Sequence, residues 1–258
     1  MDAVRDRPEL LAARYRARFG NEISTDNARE IVSPEYASSK ENRTRFSAAT
    51  QKPAGLLADY LFDQALHRPD PDKRLLITMT AGGTGAGKTT AIHANSDLHR
   101  SQFVYDSNLG SKRSSVRKVE LAKVLGYQIH IVFVHRDPVE AMVGGVLPRA
   151  MREGRVVDLN AHARMYRDAS ENFGYLVRRY ASDSVVAFTA IDNTGFGRTP
   201  MPMPIEKASR IRYSTGELLP RLREALDKEY AARRISSAVY RATLGTSGPP
   251  IARGVPRD

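Results

Sequence analysis

The sequence predicts an α/β fold, in which a parallel sheet is flanked by helices and follows a helical N-terminal extension. Four apolar runs alternate with segments of helical periodicity: "LLITMT" at 75–80, "QFVYD" at 102–106, "IHIVFVH" at 129–135 and "SVVAFTAI" at 184–191. Continuously apolar runs are typical of strands buried on both faces, and helices between them favour parallel crossovers. A glycine-rich loop directly after the first run is the third observation, and it is typical of a phosphate-binding turn at the end of a strand.

Residues 1–70 predict the helical extension. "RPELLAARYRARFG" has apolar positions at helical spacing. Ser33 with Pro34, and later Pro53, each indicate a helix that begins with proline in its first turn. The turn-rich "RPDPDK" then links the extension to the core, which we place at 71–235.

Helices of the core are predicted from their caps and periodicity. "SSVRKVELAKVLG" begins with serines and ends at a glycine, and Asp137 with Pro138 predicts the start of "PVEAMVGGVLPRAMREG". The glycine pair and the internal proline of that segment predict two helical pieces with a hinge. "HARMYRDASENFGYLVRRYA" and "GELLPRLREALDKEYAARRI" predict two more helices, and 236–258, which ends in "GTSGPPIARGVPRD", predicts a disordered tail.

The loop after the first strand has the spacing of a P-loop: a glycine, four residues, a glycine, a lysine and a threonine. In such a loop, backbone N–H groups point at phosphate oxygens, the lysine reaches the β- and γ-phosphates, and the threonine ligates Mg²⁺. The alternative is a glycine-rich turn without a ligand. The predicted nucleotide-binding residues are Gly82, Gly83, Thr84, Gly85, Ala86, Gly87, Lys88, Thr89 and Thr90.

Asp106 ends the second apolar run of the core, so its carboxylate is expected at the edge of the sheet where the P-loop lies. There it would serve as the base for an acceptor hydroxyl or as an Mg²⁺ partner of Thr89. An alternative is that Asp106 caps the turn "DSN".

Three arginines, Arg149, Arg152 and Arg155, follow one another at intervals of three residues. Their position beside the glycine- and proline-broken segment predicts a lid that brings guanidinium groups onto a transferring phosphoryl group. A solvated basic surface is the competing interpretation.

The composition narrows the classes of function. The chain has 258 residues, no cysteine and a net charge of +11, which favours anionic partners and rules out disulfides and cysteine nucleophiles. The basic residues are dispersed and lack interleaved aromatics, so nucleic acid is not the expected partner. No apolar run approaches a membrane span and the first 20 residues lack a secretory core, so we expect a cytoplasmic protein, with export left open.

"HRD" at 135–137 lacks the asparagine of the protein-kinase catalytic loop and is interpreted as a helix start.

These residues together resemble the zeta-toxin family of P-loop kinases. The resemblance covers roughly 75–180 and is carried by "TAGGTGAGKTT", "VYDSNLGSKRSSVRKVELAKVLGYQIHIVFVHRDPVEAM" and "PRAMREGRVVDLNAHARMY". It implies that Lys88 and Thr89 hold ATP and Mg²⁺, that Arg149 and Arg155 are lid arginines, and that a cognate antitoxin is a possible partner. It also implies phosphorylation of a sugar hydroxyl on a nucleotide or nucleotide sugar of the UDP-N-acetylglucosamine or NAD type.

The sequence departs from that family between the P-loop and the strand ending at Asp106. Family members usually have a further strand there with its own aspartate base, and here only 13 residues separate Lys88 from Gln102. Asp106 is therefore expected to take the role of the base. Substrate contacts are expected from Arg43, Arg45 and Lys52 of the N-terminal part, together with Arg152.

The predicted function is a zeta-toxin-like small-molecule kinase. Two alternatives stay open at this point, a polynucleotide 5′-kinase and a non-catalytic switch module driven by ATP.

Overall fold

A computed structural model describes residues 2–93, 101–195 and 197–245 of the chain. The six strands in this part are β1 Glu22–Ser24, β2 Leu76–Ala81, β3 Phe103–Asp106, β4 Gln128–His135, β5 Val186–Asp192 and β6 Met201–Pro202. The helices are α1 Asp2–Asp6, α2 Pro8–Phe19, α3 Thr25–Val32, α4 Pro34–Ser38, α5 Lys40–His67, α6 Lys88–His93, α7 Lys112–Val124, α8 Pro138–Ala141, α9 Leu147–Glu153, α10 Leu159–Arg179, α11 Ile205–Ser209, α12 Thr215–Ala231 and α13 Ser237–Leu244. Among these helices, none combines the length and the apolar character that a membrane crossing requires.

One sheet holds the strands together in the order β1-β3-β2-β4-β5-β6. The first five strands are parallel to one another, and only β6 pairs antiparallel, with β5. The predicted α/β fold with a mostly parallel sheet is confirmed, and β2 to β5 coincide with the four apolar runs. Side chains of β2 and β4 such as Ile77, Met79, Ile129 and Ile131 are buried, because helices cover both faces of a parallel sheet.

The N-terminal part is more than a helical extension, because it contributes β1 to the edge of the sheet beside β3. Tyr15 on α2 secures this strand, since its hydroxyl donates to the carbonyl of Glu22 at 2.8 Å and accepts from the N–H of Ser24 at 2.8 Å. Phe62 of α5 contacts the rings of Phe103 and Tyr105 with edge-to-face geometry. Residues on both sides of the predicted boundary at 70 therefore share one hydrophobic core.

Pro53 does not begin a helix, contrary to the prediction. It lies inside α5, a single helix of 28 residues whose N-cap is Ser39. Leu57, Leu61 and Phe62 are fully buried after the proline, and this burial offsets the hydrogen bond that Pro53 cannot donate. The start predicted at Ser33 is confirmed, since its hydroxyl accepts from the N–H of Tyr36.

The segment after β4 is helical but irregular, as predicted. Asp137 caps α8 through bonds from the N–H groups of Val139 and Glu140, at 2.9 and 3.1 Å. A π-helical turn, Met142–Val146, then joins α8 to α9 without a break. The glycine pair therefore lies in a π-bulge, where two separate helical pieces were expected. Such π-turns are frequent at functional sites.

The predicted disorder from residue 236 is wrong for the first part of that segment. Ser236 caps α13 through the N–H of Val239, and the buried side chain of Val239 belongs to an apolar cluster with Leu218 and Leu222 of α12. The sequence of α13 alone does not show which of its side chains are buried, because their burial depends on α12. The tail beyond 245 lies outside the described residues.

We expect Ile23→Ala to lower the free energy of unfolding of the whole protein by about 2–4 kcal/mol, because Ile23 is buried in the shared core. Val124→Ala is the control, since Val124 is 82% exposed and its loss should cost less than about 0.5 kcal/mol. Urea unfolding followed by circular dichroism measures both. Two separate transitions, with only one shifted by Ile23→Ala, would show that the N-terminal part folds independently.

Candidate active site at the P-loop

The candidate site lies where the five parallel strands end. β1, β2, β3, β4 and β5 all present their carboxyl ends at the same edge of the sheet, and ligands in open α/β sheets bind at this edge. β2 leads into the P-loop, with β3 on one side and β4 on the other. Asp26 follows β1, and Asp106 ends β3 with Ser24 of β1 as its register partner. Two carboxylates thus lie at neighbouring strand ends beside the loop.

The P-loop curls around its own lysine. Nζ of Lys88 donates to the carbonyls of Gly82 and Gly83, each at 3.1 Å. Gly82 has a φ of +133°, and a Cβ there would lie 2.3 Å from the carbonyl oxygen of Val134 on β4. The loop can therefore approach the sheet only with glycine at this position.

Three later segments enclose the loop. The ring of Tyr166, on α10, packs against Gly83. The π-turn lies on Gly85, since a Cβ at Gly145 would come within 3.0 Å of the Gly85 Cα. Nδ2 of Asn193, which follows β5, donates to the carbonyl of Ala86 at 2.8 Å. The loop is a packed element whose shape depends on the segment that carries the arginines.

Asp106 contacts both β2 and the P-loop. Its Oδ1 accepts a hydrogen bond from Thr80 at 2.6 Å, and its Oδ2 lies 3.5 Å from the hydroxyl of Thr89. A hydroxyl and a carboxylate are the oxygen ligands that Mg²⁺ prefers, so Thr89 and Asp106 fit the predicted metal. Among the described residues, no group of three or more His, Asp or Glu side chains is arranged to hold a metal by itself. Magnesium here would therefore take further ligands from phosphates and water.

The predicted lid arginines are paired with acids of the N-terminal part. Nη2 of Arg149 lies 2.6 Å from Oδ2 of Asp26. Arg155 approaches Oε1 of Glu30 at 3.0 Å and Oδ2 of Asp26 at 3.6 Å. Asp26 and Glu30 are four residues apart on α3, so both lie on one face of that helix.

The electrostatic interactions show that these groups share one region. Burial lowers the pKa of Lys88, and Arg149 lowers it further, while the carboxylates of Asp106 and Asp26 oppose this shift. Burial opposes the ionisation of Asp26, yet Arg149, Arg29 and Arg155 outweigh it and lower the pKa of this carboxyl group. Asp26 is therefore ionised at neutral pH, and its negative charge partly offsets the positive charges of Lys88 and Arg149.

The four predicted substrate contacts do not converge on the loop. Arg43 pairs with Glu30 at 2.9 Å. The guanidinium of Arg45 lies over the ring of Phe46, 5.2 Å from its centroid. Lys52 and Arg152 are exposed. In the described part of the chain, no hydrogen bond or ion pair involves Arg45, Lys52 or Arg152, so their role in substrate binding stays a prediction.

Sequence reasoning missed Asp26, Glu30, Thr80, Tyr166 and Asn193. Asp26 stands more than 60 residues before Lys88 in the chain, and no motif marks it. Thr80 and Asn193 carried a weak signal, because they are polar residues at the ends of apolar runs. Tyr166 and Glu30 carried none, since their importance arises from packing and pairing across distant segments.

Comparison with known proteins supports the predicted resemblance over part of the chain. Residues 98–197 match the sequence model of the zeta toxin family, so the resemblance is confirmed over this segment, which begins after the P-loop. A search of the curated proteins found no match.

Three similar solved structures are the AvrRxo1-ORF1:AvrRxo1-ORF2 complex with sulphate ions, with ATP and in native form. Their sequence identities are 14%, 13% and 15%, and their TM-scores are 0.44, 0.43 and 0.41. Each match covers 73% of this chain, and it covers 83%, 83% and 82% of the other chain, respectively.

We expect Gly83→Ala to destabilise the protein by about 1–3 kcal/mol, because the new Cβ would overlap the ring of Tyr166 and force the loop or the ring to move. Gly55→Ala is the matched control. Gly55 lies inside α5 with open space around it, so alanine there should be neutral or stabilising by up to about 1 kcal/mol. Thermal or urea unfolding distinguishes them, and equal effects of both changes would contradict the tight contact at Gly83.

Proposed function

We propose that this protein is an ATP-dependent kinase of the zeta-toxin type, which transfers the γ-phosphoryl group of ATP to a sugar hydroxyl of a nucleotide or nucleotide sugar. The observation that carries the proposal is the position of Lys88 inside a P-loop whose Thr89 lies 3.5 Å from Asp106. A cation for the phosphates and an oxygen pair for a metal are the parts that phosphoryl transfer requires. The family match over 98–197 supports the same class of reaction.

Each group has a defined task in this reaction. Lys88 exchanges its bonds to the carbonyls of the loop for the β- and γ-phosphate oxygens. Thr89 and Asp106 would hold Mg²⁺, which would offset the charge of the phosphates. Arg149 donates to the oxygens of the phosphoryl group in transit. The acceptor oxygen bonds to the γ-phosphorus, the bond to the bridging oxygen breaks, ADP leaves, and the hydroxyl proton passes to a carboxylate or to water.

The second substrate and the partner complete the proposal. The guanidinium of Arg149 lies in the same region as Lys88, and a further cation there favours an acceptor that itself carries phosphates. A cognate antitoxin is the proposed protein partner. The reaction belongs in a cytoplasm, either that of the producing cell or, after export, that of another cell, since ATP is available in both.

The test is incubation with ATP labelled on the γ-phosphate and a metabolite extract, followed by mass analysis of the labelled products. A labelled nucleotide or nucleotide sugar supports the proposal. Label on the 5′ end of an added oligonucleotide would indicate a polynucleotide kinase. Free phosphate as the only product would indicate a switch module.

Lys88→Ala should abolish the labelling, because Lys88 is the cation that the P-loop places for the β- and γ-phosphates. Lys228→Ala, at an exposed position on α12, is the control and should retain full activity. Circular dichroism verifies the fold of both variants. Undiminished transfer by folded Lys88→Ala protein would exclude the P-loop as the ATP site.

Asp106→Asn should raise the Mg²⁺ concentration needed for half-maximal activity by about tenfold or more, because an amide is a weaker metal ligand than a carboxylate. Initial rates over a series of Mg²⁺ concentrations measure this. A loss of turnover by about 10²-fold with an unchanged Mg²⁺ requirement would instead assign Asp106 to the acceptor hydroxyl, as its base.

A further inference from the structure

The arginine segment, α9 and the residues up to Arg155, is held by the N-terminal part of the chain. The hydroxyl of Thr44 donates to the carbonyl of Gly154 at 2.8 Å, and Nζ of Lys40 donates to that of Met151 at 3.1 Å. Gly154 has a φ of +74°, and a Cβ there would lie 1.9 Å from the carbonyl of Lys40. These contacts at the start of α5 dock the segment closely.

Glu30 forms ion pairs with three arginines of this region. Its side chain is only 5% exposed, and it pairs with Arg18 at 2.5 Å, Arg43 at 2.9 Å and Arg155 at 3.0 Å. A buried carboxylate with three guanidinium partners is costly to disturb, because separating it from them would leave an unpaired buried charge. Glu30 and its partners therefore form a rigid base for α3 and Arg155.

Asp26 has a different environment from Glu30. It is 42% exposed, lies at the carboxyl end of the sheet, and contacts Arg149 at 2.6 Å. β1 fixes its place, because Ser24, the last residue of β1, is both the register partner of Asp106 and the N-cap of α3. Asp26 thus orients Arg149 from a position that the sheet itself defines.

The two arginines differ in how closely acidic side chains surround them. All three guanidinium nitrogens of Arg155 lie within ion-pair distance of Asp26, Glu30 or Glu153. Arg149 donates from Nη2 to Asp26, its Nε lies 3.6 Å from Glu153, and its Nη1 makes no hydrogen bond with a described residue. The two N–H groups of that nitrogen are the ones available to an incoming phosphoryl oxygen.

We propose that Asp26 is a positioning residue, which holds the guanidinium of Arg149 beside Lys88 so that its Nη1 faces the transferring phosphoryl group. Arg155 belongs to the support of this arrangement and does not contact substrate. The inference rests on the proposed kinase function and deepens it, since it makes the N-terminal part of the chain a component of the active site. Asp26 then sets the position of Arg149, and no closing lid is required to deliver this arginine.

The test compares binding of ADP alone with binding of ADP plus aluminium fluoride, which mimics the phosphoryl group in transit and requires no knowledge of the acceptor. Asp26→Asn should leave the affinity for ADP unchanged and reduce the gain from aluminium fluoride by about 10- to 100-fold, the scale for a misplaced catalytic group. Asp59→Asn is the matched control, because Asp59 is 48% exposed and pairs with Lys118 at 2.5 Å, yet it lies on α5 outside the site. It should leave both affinities unchanged.

A double-mutant cycle separates positioning from a general structural effect. In an Arg149→Lys background, Asp26→Asn should cost less than about twofold more, because Asp26 acts through Arg149. Full additivity of the two losses would overturn the proposal and would indicate that Asp26 contacts the substrate itself. If Asp26→Asn does not fold, Asp26→Glu takes its place. This change keeps the charge and displaces the carboxylate, so the gain should fall by about threefold or more.

The outcomes distinguish this inference from the proposed function. Wild-type protein that binds no ADP, or whose binding is insensitive to Lys88→Ala, would overturn the kinase function and the role of Asp26 with it. A wild-type gain from aluminium fluoride that survives unchanged in folded Asp26→Asn or Asp26→Glu protein would overturn the role of Asp26 alone.

Discussion

The pairing of β1 with β3 is the constraint on which the site depends. β1 has only three residues. Just before it, the carbonyl of Asn21 accepts a hydrogen bond from the N–H of Val104 on β3 at 3.0 Å. Such a short strand is not stable alone, and it persists because Tyr15 and Ile23 are buried against the core. Once β1 is in place, α3 must begin at the edge of the sheet where the P-loop lies. The acids of α3 therefore meet arginines from more than 100 residues later in the chain.

A second dependence joins the P-loop to the arginine segment. The π-turn packs on Gly85, and the helix that follows it carries Arg149. Because protein interiors are close-packed, a shift of this segment is transmitted to the loop, and the reverse also holds. Gly145 of the π-turn and Gly85 of the loop can approach each other because neither has a side chain. This contact lies at the loop where the nucleotide phosphates are proposed to bind.

Charge balance explains why so many arginines can gather here. Guanidinium groups at close range repel one another, and burial would raise this cost. Glu30, Asp26 and Glu153 offset the repulsion, and Nη1 of Arg149 has no hydrogen bond to a described residue. The chain as a whole carries a net charge of +11, which favours anionic partners.

The sequence by itself determined the central sheet, the P-loop and most helix starts, because these depend on local patterns. Apolar runs define buried strands, glycines permit the loop, and Ser33 and Asp137 cap helices with their own side chains. The proximity of Asp106 to Thr89 followed from the rule that parallel strands end at one edge.

Only the tertiary structure decided the place of β1, the continuity of α5 through Pro53, the helix α13 and the pairing of Asp26 with Arg149. Each of these depends on contacts between residues far apart in the chain, whose energies outweigh local preference. A three-residue strand and a proline inside a helix are unfavourable locally, and burial stabilises both. An ion pair across 123 positions leaves no periodicity or spacing in the sequence, so it becomes visible only when the sheet brings its two ends together.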